Sequence, residues 1–137
     1  MDLKHWRWDE SLALGVMEID SDHRRFSVLL QELDDAIAAG GRGPNIVSRL
    51  RAIALDALMH FDNEDQLFEK YQYPARAQHV KAHNELRQIL RTRALHVPGD
   101  ADGTAGLLSA EQLRTLLVSH LLYEDLPFCE FLKSRLP

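Results

Sequence analysis

Residues 45–71, NIVSRLRAIALDALMHFDNEDQLFEKY, decide the fold. Ile46, Leu50, Ile53, Ala57, His60, Glu64, Leu67 and Tyr71 succeed one another at steps of 4, 3, 4, 3, 4, 3 and 4 residues, which is the spacing of one face of an α-helix. The face begins as ordinary core and then carries an imidazole and a carboxylate. Before it, His23, Phe26, Leu30, Leu33 and Ile37 predict a helix over about 21–39, closed by GGRGP. After it, a third helix is expected over about 74–95, with Pro74 in its first turn and an inner face of His79, His83, Leu86 and Leu90. The linker VPGDADGTAG leads to a fourth over about 109–133, where Ser109 and Gln112 form a capping box and Leu113, Leu116, Leu117 and His120 line one side.

Strand signals are almost absent, since no Asn-Gly or Asp-Gly turn joins alternating apolar runs. The expectation is an all-α chain: an up-down-up-down four-helix bundle with an N-terminal arm, residues 1–20, in one domain spanning 1–137. Trp6 and Trp8 in the arm are expected to pack across the bundle as a cap.

The 137 residues suffice for a single core without disulfides, and 45% hydrophobic with 27% charged residues is the balance of a globular protein. A net charge of -5 and the lack of a Lys/Arg cluster argue against nucleic acid as a partner. No run reaches the ~18 apolar residues of a membrane span. The single cysteine, Cys129, and a first stretch, MDLKHWRWDE, without the apolar core of a signal peptide predict a cytoplasmic setting. No extra apolar stripe suggests a subunit interface, so a monomer is expected.

Histidine is a minority residue on apolar faces, yet all four predicted helices place one inward. A lone core histidine is more often structural than functional. Here the pattern is joint: His60 and Glu64 are four apart, as are His79 and His83, so each pair projects side by side from one stripe. His23 and His120 join them from the first and fourth helices. Five imidazoles and a carboxylate in a dry core are costly unless their lone pairs are satisfied, and metal satisfies them. Five nitrogen donors exceed what one ion with an open position draws from a protein, so two ions bridged by carboxylates are the economical solution. Iron, zinc, manganese and cobalt all suit such donors, with redox use favouring iron.

These residues resemble the hemerythrins, in particular the single-domain bacterial ones. The resemblance runs through GVMEIDSDH (15–23), HFDNE (60–64), YQYPARAQHVKAH (71–83) and HLLYED (120–125). It implies an oxo- or hydroxo-bridged diiron centre in which His79, His83 and His120 complete one iron. His23 and His60 bind the other, which keeps a vacant position, and Glu64 and Asp125 bridge the pair. It further implies dioxygen as the partner, bound end-on at the vacant position and released unreacted. The same resemblance places a pocket wall at Phe26, Phe61, Leu117 and Leu121, residues that equally suit plain core packing.

Asp125 is the one member that helix geometry does not select. Five residues after His120 is about 140° round an ideal helix, whereas Glu124 is only about 40° away. Pro127, however, removes an N–H from this turn, so a bulge or widened turn could bring Asp125 inward. The resemblance implies Asp125, with Glu124 solvated.

Carboxylate-rich diiron enzymes carry Glu-x-x-His pairs, whose extra anions stabilise higher oxidation states; this sequence has none. Neutral imidazoles leave a ferrous pair accessible, so reversible dioxygen binding for storage, delivery or sensing is expected rather than an enzyme. The alternatives are a diiron oxidoreductase handling peroxide or nitric oxide, and a metal-storage or zinc-binding bundle. His5 and His96 are expected to be solvated, Cys129 to be a small core residue, and Arg87, Arg91 and Arg93 to form a solvated helix face.

Overall fold

The computed structural model describes residues 13, 15–41, 44–93 and 103–135. Trp6, Trp8, His5 and His96 lie outside them. The described helices are α1 (Met17–Ala38), α2 (Pro44–Lys70), α3 (Arg76–Arg93) and α4 (Gly103–His120). A π-helical turn, Leu121–Asp125, continues α4 directly into α5 (Leu126–Arg135), making one last rod. Among the described residues there is no strand, and no helix is long and apolar enough to cross a membrane.

The helix ends follow local chemistry. α1 begins four residues before the expected Ser21, at Met17. Glu18 and Asp20 place negative charge in its first turn, and Asp20 reaches back to accept from the Gly15 N–H at 3.2 Å. At its other end Gly40 adopts φ +81°. There the Gly40 N–H donates to Ile37 O at 3.0 Å and the Gly41 N–H to Ala36 O at 2.8 Å, a Schellman ending. Pro44 then opens α2, where its missing N–H costs nothing. The same ending closes α2 with Gln72 at φ +52°, and Tyr73 N–H donates to Phe68 O at 2.9 Å.

Two expected starts are displaced. Pro74 lies in the turn rather than in the helix, because the Arg76 N–H still closes a turn onto Tyr73 O at 3.1 Å and α3 begins at Arg76. Ser109 does not cap the last helix, which starts at Gly103 and carries Ser109 in its interior. The run AGLLSAEQL is rich in good helix formers, and one serine costs a helix too little to stop it.

α2 packs against α1, α3 and α4. The larger core cluster joins Leu30 and Leu33 of α1, Leu50 and Ile53 of α2, Leu86 and Leu90 of α3, and Leu113 and Leu117 of α4. A second cluster holds Ile19, Phe68, Tyr73, Phe128, Cys129 and Leu132. α1 runs from the second cluster to the first and α2 returns; α3 and the last rod repeat the circuit. That is the up-down-up-down order. Cys129 is fully buried within the second cluster, as a small apolar residue would be.

The left-handed ending at Gly40 is strained for any side chain, although a Cβ there would touch nothing within 4 Å. Gly40→Ala is therefore expected to lower the unfolding free energy by about 1 kcal/mol through the backbone alone. Leu50→Ala, at a site 1% exposed, should cost about 2–5 kcal/mol by opening a cavity. Urea unfolding of both variants checks the order.

Candidate metal centre

Between the two apolar clusters lies a polar layer. α1 contributes His23, α2 His60 and Glu64, α3 His79 and His83, the end of α4 His120, and the π turn Asp125. None of the seven is more than 8% exposed. They form two groups whose potential ligand atoms lie within 4.8 Å of one another: Glu64, His79, His83, His120 and Asp125, and His23, His60 and Asp125. The structure thus brings all seven sequence-predicted residues together, and Glu124 belongs to neither group.

Asp125 joins the groups because its turn is widened. The Leu126 N–H reaches back to Leu121 O, five residues away, and Pro127 has no N–H with which to tighten the turn. The extra residue rotates Asp125 inward, where it is 2% exposed. One of its oxygens then faces each group. Oδ1 lies 3.0 Å from His120 Nε2 and 3.1 Å from His79 Nε2, while Oδ2 lies 3.3 Å from His60 Nε2 and 3.8 Å from His23 Nε2. Glu64 Oε1 likewise sits 3.2 Å from His83 Nε2 and 3.3 Å from His60 Nε2.

Of these contacts, those of His60 and His79 with Asp125 are hydrogen bonds, and the rest are close but poorly aligned as such. Neither oxygen of Glu64, nor His83 Nε2, has a hydrogen-bond partner among the described residues, and His79 Nε2 and His120 Nε2 face each other at 3.3 Å. Unsatisfied buried oxygens are expensive, and facing ring nitrogens repel unless a shared proton or a metal ion lies between them. Donor separations near 3 Å are the edges of a polyhedron with bonds of roughly 2.1 Å. The donor set therefore fits metal ions, and it fits them in two adjoining groups.

Protonation shifts express the same demand for positive charge. Burial would lower the pKa of His60, but the charge of Glu64 and hydrogen bonds to Asp125 and Asp22 carry it well above the ordinary value. His120 is raised in the same way, its burial overcome by Asp125. For Asp125 burial works upward, yet the charge of His120 and the facing imidazoles of His23 and His60 hold it well below the usual carboxylate range.

On the His23 and His60 side the layer opens into a cavity of about 30 Å³ lined by Phe26, Phe61, Leu117 and Leu121 together with Asp22, Asp56, Ala57, His120 and Asp125. All four residues expected in a pocket wall are there. Phe61 also does core work, lying 4.4 Å from the His83 ring and nearly parallel to it, and Phe68 flanks the same ring at 5.7 Å.

Two carboxylates escaped the sequence reading. Asp22 accepts from His60 Nδ1–H at 2.8 Å, and Asp65 accepts from His83 Nδ1–H at 2.7 Å. Each directly adjoins a site residue, Asp22 before His23 and Asp65 after Glu64, which was their only signal. Arg87 needs correction: it is not a solvated residue but is 11% exposed in its side chain and donates to Asp65 at 2.6 Å and Asp62 at 3.0 Å.

The family model for the hemerythrin HHE cation-binding domain matches residues 14–130, a span that encloses every member of the cluster. Curated relatives include a hemerythrin-like protein of Naegleria gruberi, 24% identical over 90% of both chains. Bacteriohemerythrins of Stenotrophomonas maltophilia and Pseudomonas aeruginosa are 26% and 25% identical, over 94% and 98% of this chain and 82% and 86% of theirs. No solved structure matches the chain. A polar layer able to hold metal, built on four helices within a domain matched from residue 14 to residue 130, makes this chain a member of the hemerythrin family.

Proposed function

We propose that the protein binds dioxygen reversibly at a pair of irons, as a carrier, store or sensor rather than an enzyme. His79, His83 and His120 would hold one iron, His23 and His60 the other, and Glu64 and Asp125 would span both. The single observation that carries this reading is the cavity beside His23 and His60. Its volume of about 30 Å³ suits a ligand of one or two heavy atoms. Iron held by these residues in the ferrous state would supply the electrons that dioxygen takes up on binding and gives back on release.

The chain's own residues set the conditions for reversal. Five imidazoles donate without charge, so Glu64 and Asp125 are the only anions in the two groups. With two divalent cations held there, they would balance only part of the charge, which would favour the reduced state. Phe26, Phe61, Leu117 and Leu121 present no donor or acceptor to the cavity, which limits the water and protons that would divert a bound oxidant. The bacteriohemerythrin relatives, by name, accord with this reading.

Purified protein reconstituted anaerobically with ferrous iron should hold two irons per chain, and the absorption that develops in air should fade when oxygen is removed without a reductant. One zinc and no iron would sink the proposal. One-way oxidation with peroxide release would instead point to a diiron oxidoreductase.

The wall has its own test. His79→Ala should remove one iron and, by leaving carboxylate oxygens uncompensated, lower the melting temperature. Leu117→Trp should keep both irons yet slow oxygen binding at least tenfold in stopped-flow absorption, because Leu117 shares the cavity with His23 and His60. Parental binding in Leu117→Trp would remove this residue from the pocket.

A further inference from the structure

Behind the seven clustered residues the structure repeats one arrangement twice. Asp22 accepts the His60 Nδ1–H on Oδ2 at 2.8 Å and the Arg25 Nη2–H on Oδ1 at 3.0 Å, and Arg25 is itself anchored through Nε on Asp56. Asp65 accepts the His83 Nδ1–H on Oδ1 at 2.7 Å and the Arg87 Nη2–H on Oδ2 at 2.6 Å, and Arg87 also donates to Asp62 at 3.0 Å. One histidine in each group therefore has an Asp–Arg pair at its back. His79 differs, since its buried Nδ1 has no hydrogen-bond partner among the described residues.

We propose that Asp22 and Asp65 are positioning residues that set how tightly each half of the centre holds its cation. The proposal rests on the metal-holding role inferred above. A carboxylate accepts and cannot donate, so each one requires its histidine to carry the proton on Nδ1. The lone pair is thereby placed on Nε2, the atom that faces Glu64 in both histidines. The same hydrogen bond fixes the ring plane and draws proton density off the ring, which makes Nε2 a stronger donor. Arg25 and Arg87 offset part of the added negative charge, each being shared between two carboxylates.

The halves differ in exposure. Arg87 is 11% exposed in its side chain whereas Arg25 is 48% exposed, and Asp22 and Asp56 line the cavity while Asp65 does not. The Asp22 pair therefore stands between solvent and the cavity, and salt screens it more strongly than the Asp65 pair. Added salt should weaken metal retention at the His60 half first.

Ferrous protein, loaded anaerobically, is challenged with a chelator and metal release is followed by absorption, with no dependence on oxygen binding. Asp22→Asn and Asp65→Asn keep the shape and an acceptor oxygen but lose the charge, and each should speed release of one of two metals by about 10- to 100-fold. Asp22→Ala and Asp65→Ala should exceed them. Asp62→Ala, which removes only an outer contact of Arg87 at a carboxylate 70% exposed, should release metal as the parent does. Parental release rates in both Asn and both Ala variants, with helical circular dichroism retained, would reduce the pairs to ion pairs that tie helices together. A parent chain that takes up no metal would instead overturn the metal-holding reading itself.

Discussion

Burying Glu64 and Asp125 in the middle of a helical bundle costs several kcal/mol per charge unless positive charge is delivered to the same place. Everything around them answers that demand. Five imidazoles approach their oxygens at 3.0–3.8 Å for the closest contact of each, whether to Asp125 or to Glu64. The Nε2 atoms of His60 and His83 are turned inward because Asp22 and Asp65 hold the opposite edges of the rings. The core itself is divided by the layer, with one apolar cluster on each side. Each helix thus packs twice and crosses the polar layer once, which holds the donor atoms in register from both ends.

The bundle was legible because helix periodicity is read over long stretches, and the inward positions of α2 and α3 follow from spacing alone. His60 with Glu64 and His79 with His83 needed nothing more. Asp125 was different in kind. An ideal helix turns it away from His120, and only the widened turn at Leu121–Asp125 brings it back. Pro127 hinted at that turn, but a missing donor says where a ladder breaks and not which side chain turns inward as a result. The choice over Glu124 came from family resemblance.

Other parts were hidden for physical reasons. Asp22, Asp65 and Arg87 fall beside the apolar stripes, where charged residues ordinarily face water, and only the approach of a neighbouring helix makes Asp22 and Asp65 partly buried partners of His60 and His83, with Arg87 behind Asp65. The start of α1 was missed because its stabilising group, Asp20, lies inside the helix and reaches backwards to Gly15. The start of the last rod was missed because Ser109 has the chemistry of a cap, and nothing local reveals that helix formers before it have already begun the turn.

The wall residues show why core and pocket are hard to tell apart from sequence. Phe26, Phe61, Leu117 and Leu121 belong to the larger core cluster and line the cavity at once. At roughly 24 cal/mol per Å³, a void of about 30 Å³ costs only about 0.7 kcal/mol. A loss that small is at the low end of what a single substitution costs, so a four-helix core can leave such a space beside His23 and His60 without any compensating feature in its apolar pattern. Filling the void would scarcely stabilise the fold, and it would close the space beside His23 and His60 on this side of the polar layer. The apolar stripe therefore specifies the bundle, while the pocket depends on side-chain volumes that the stripe leaves open.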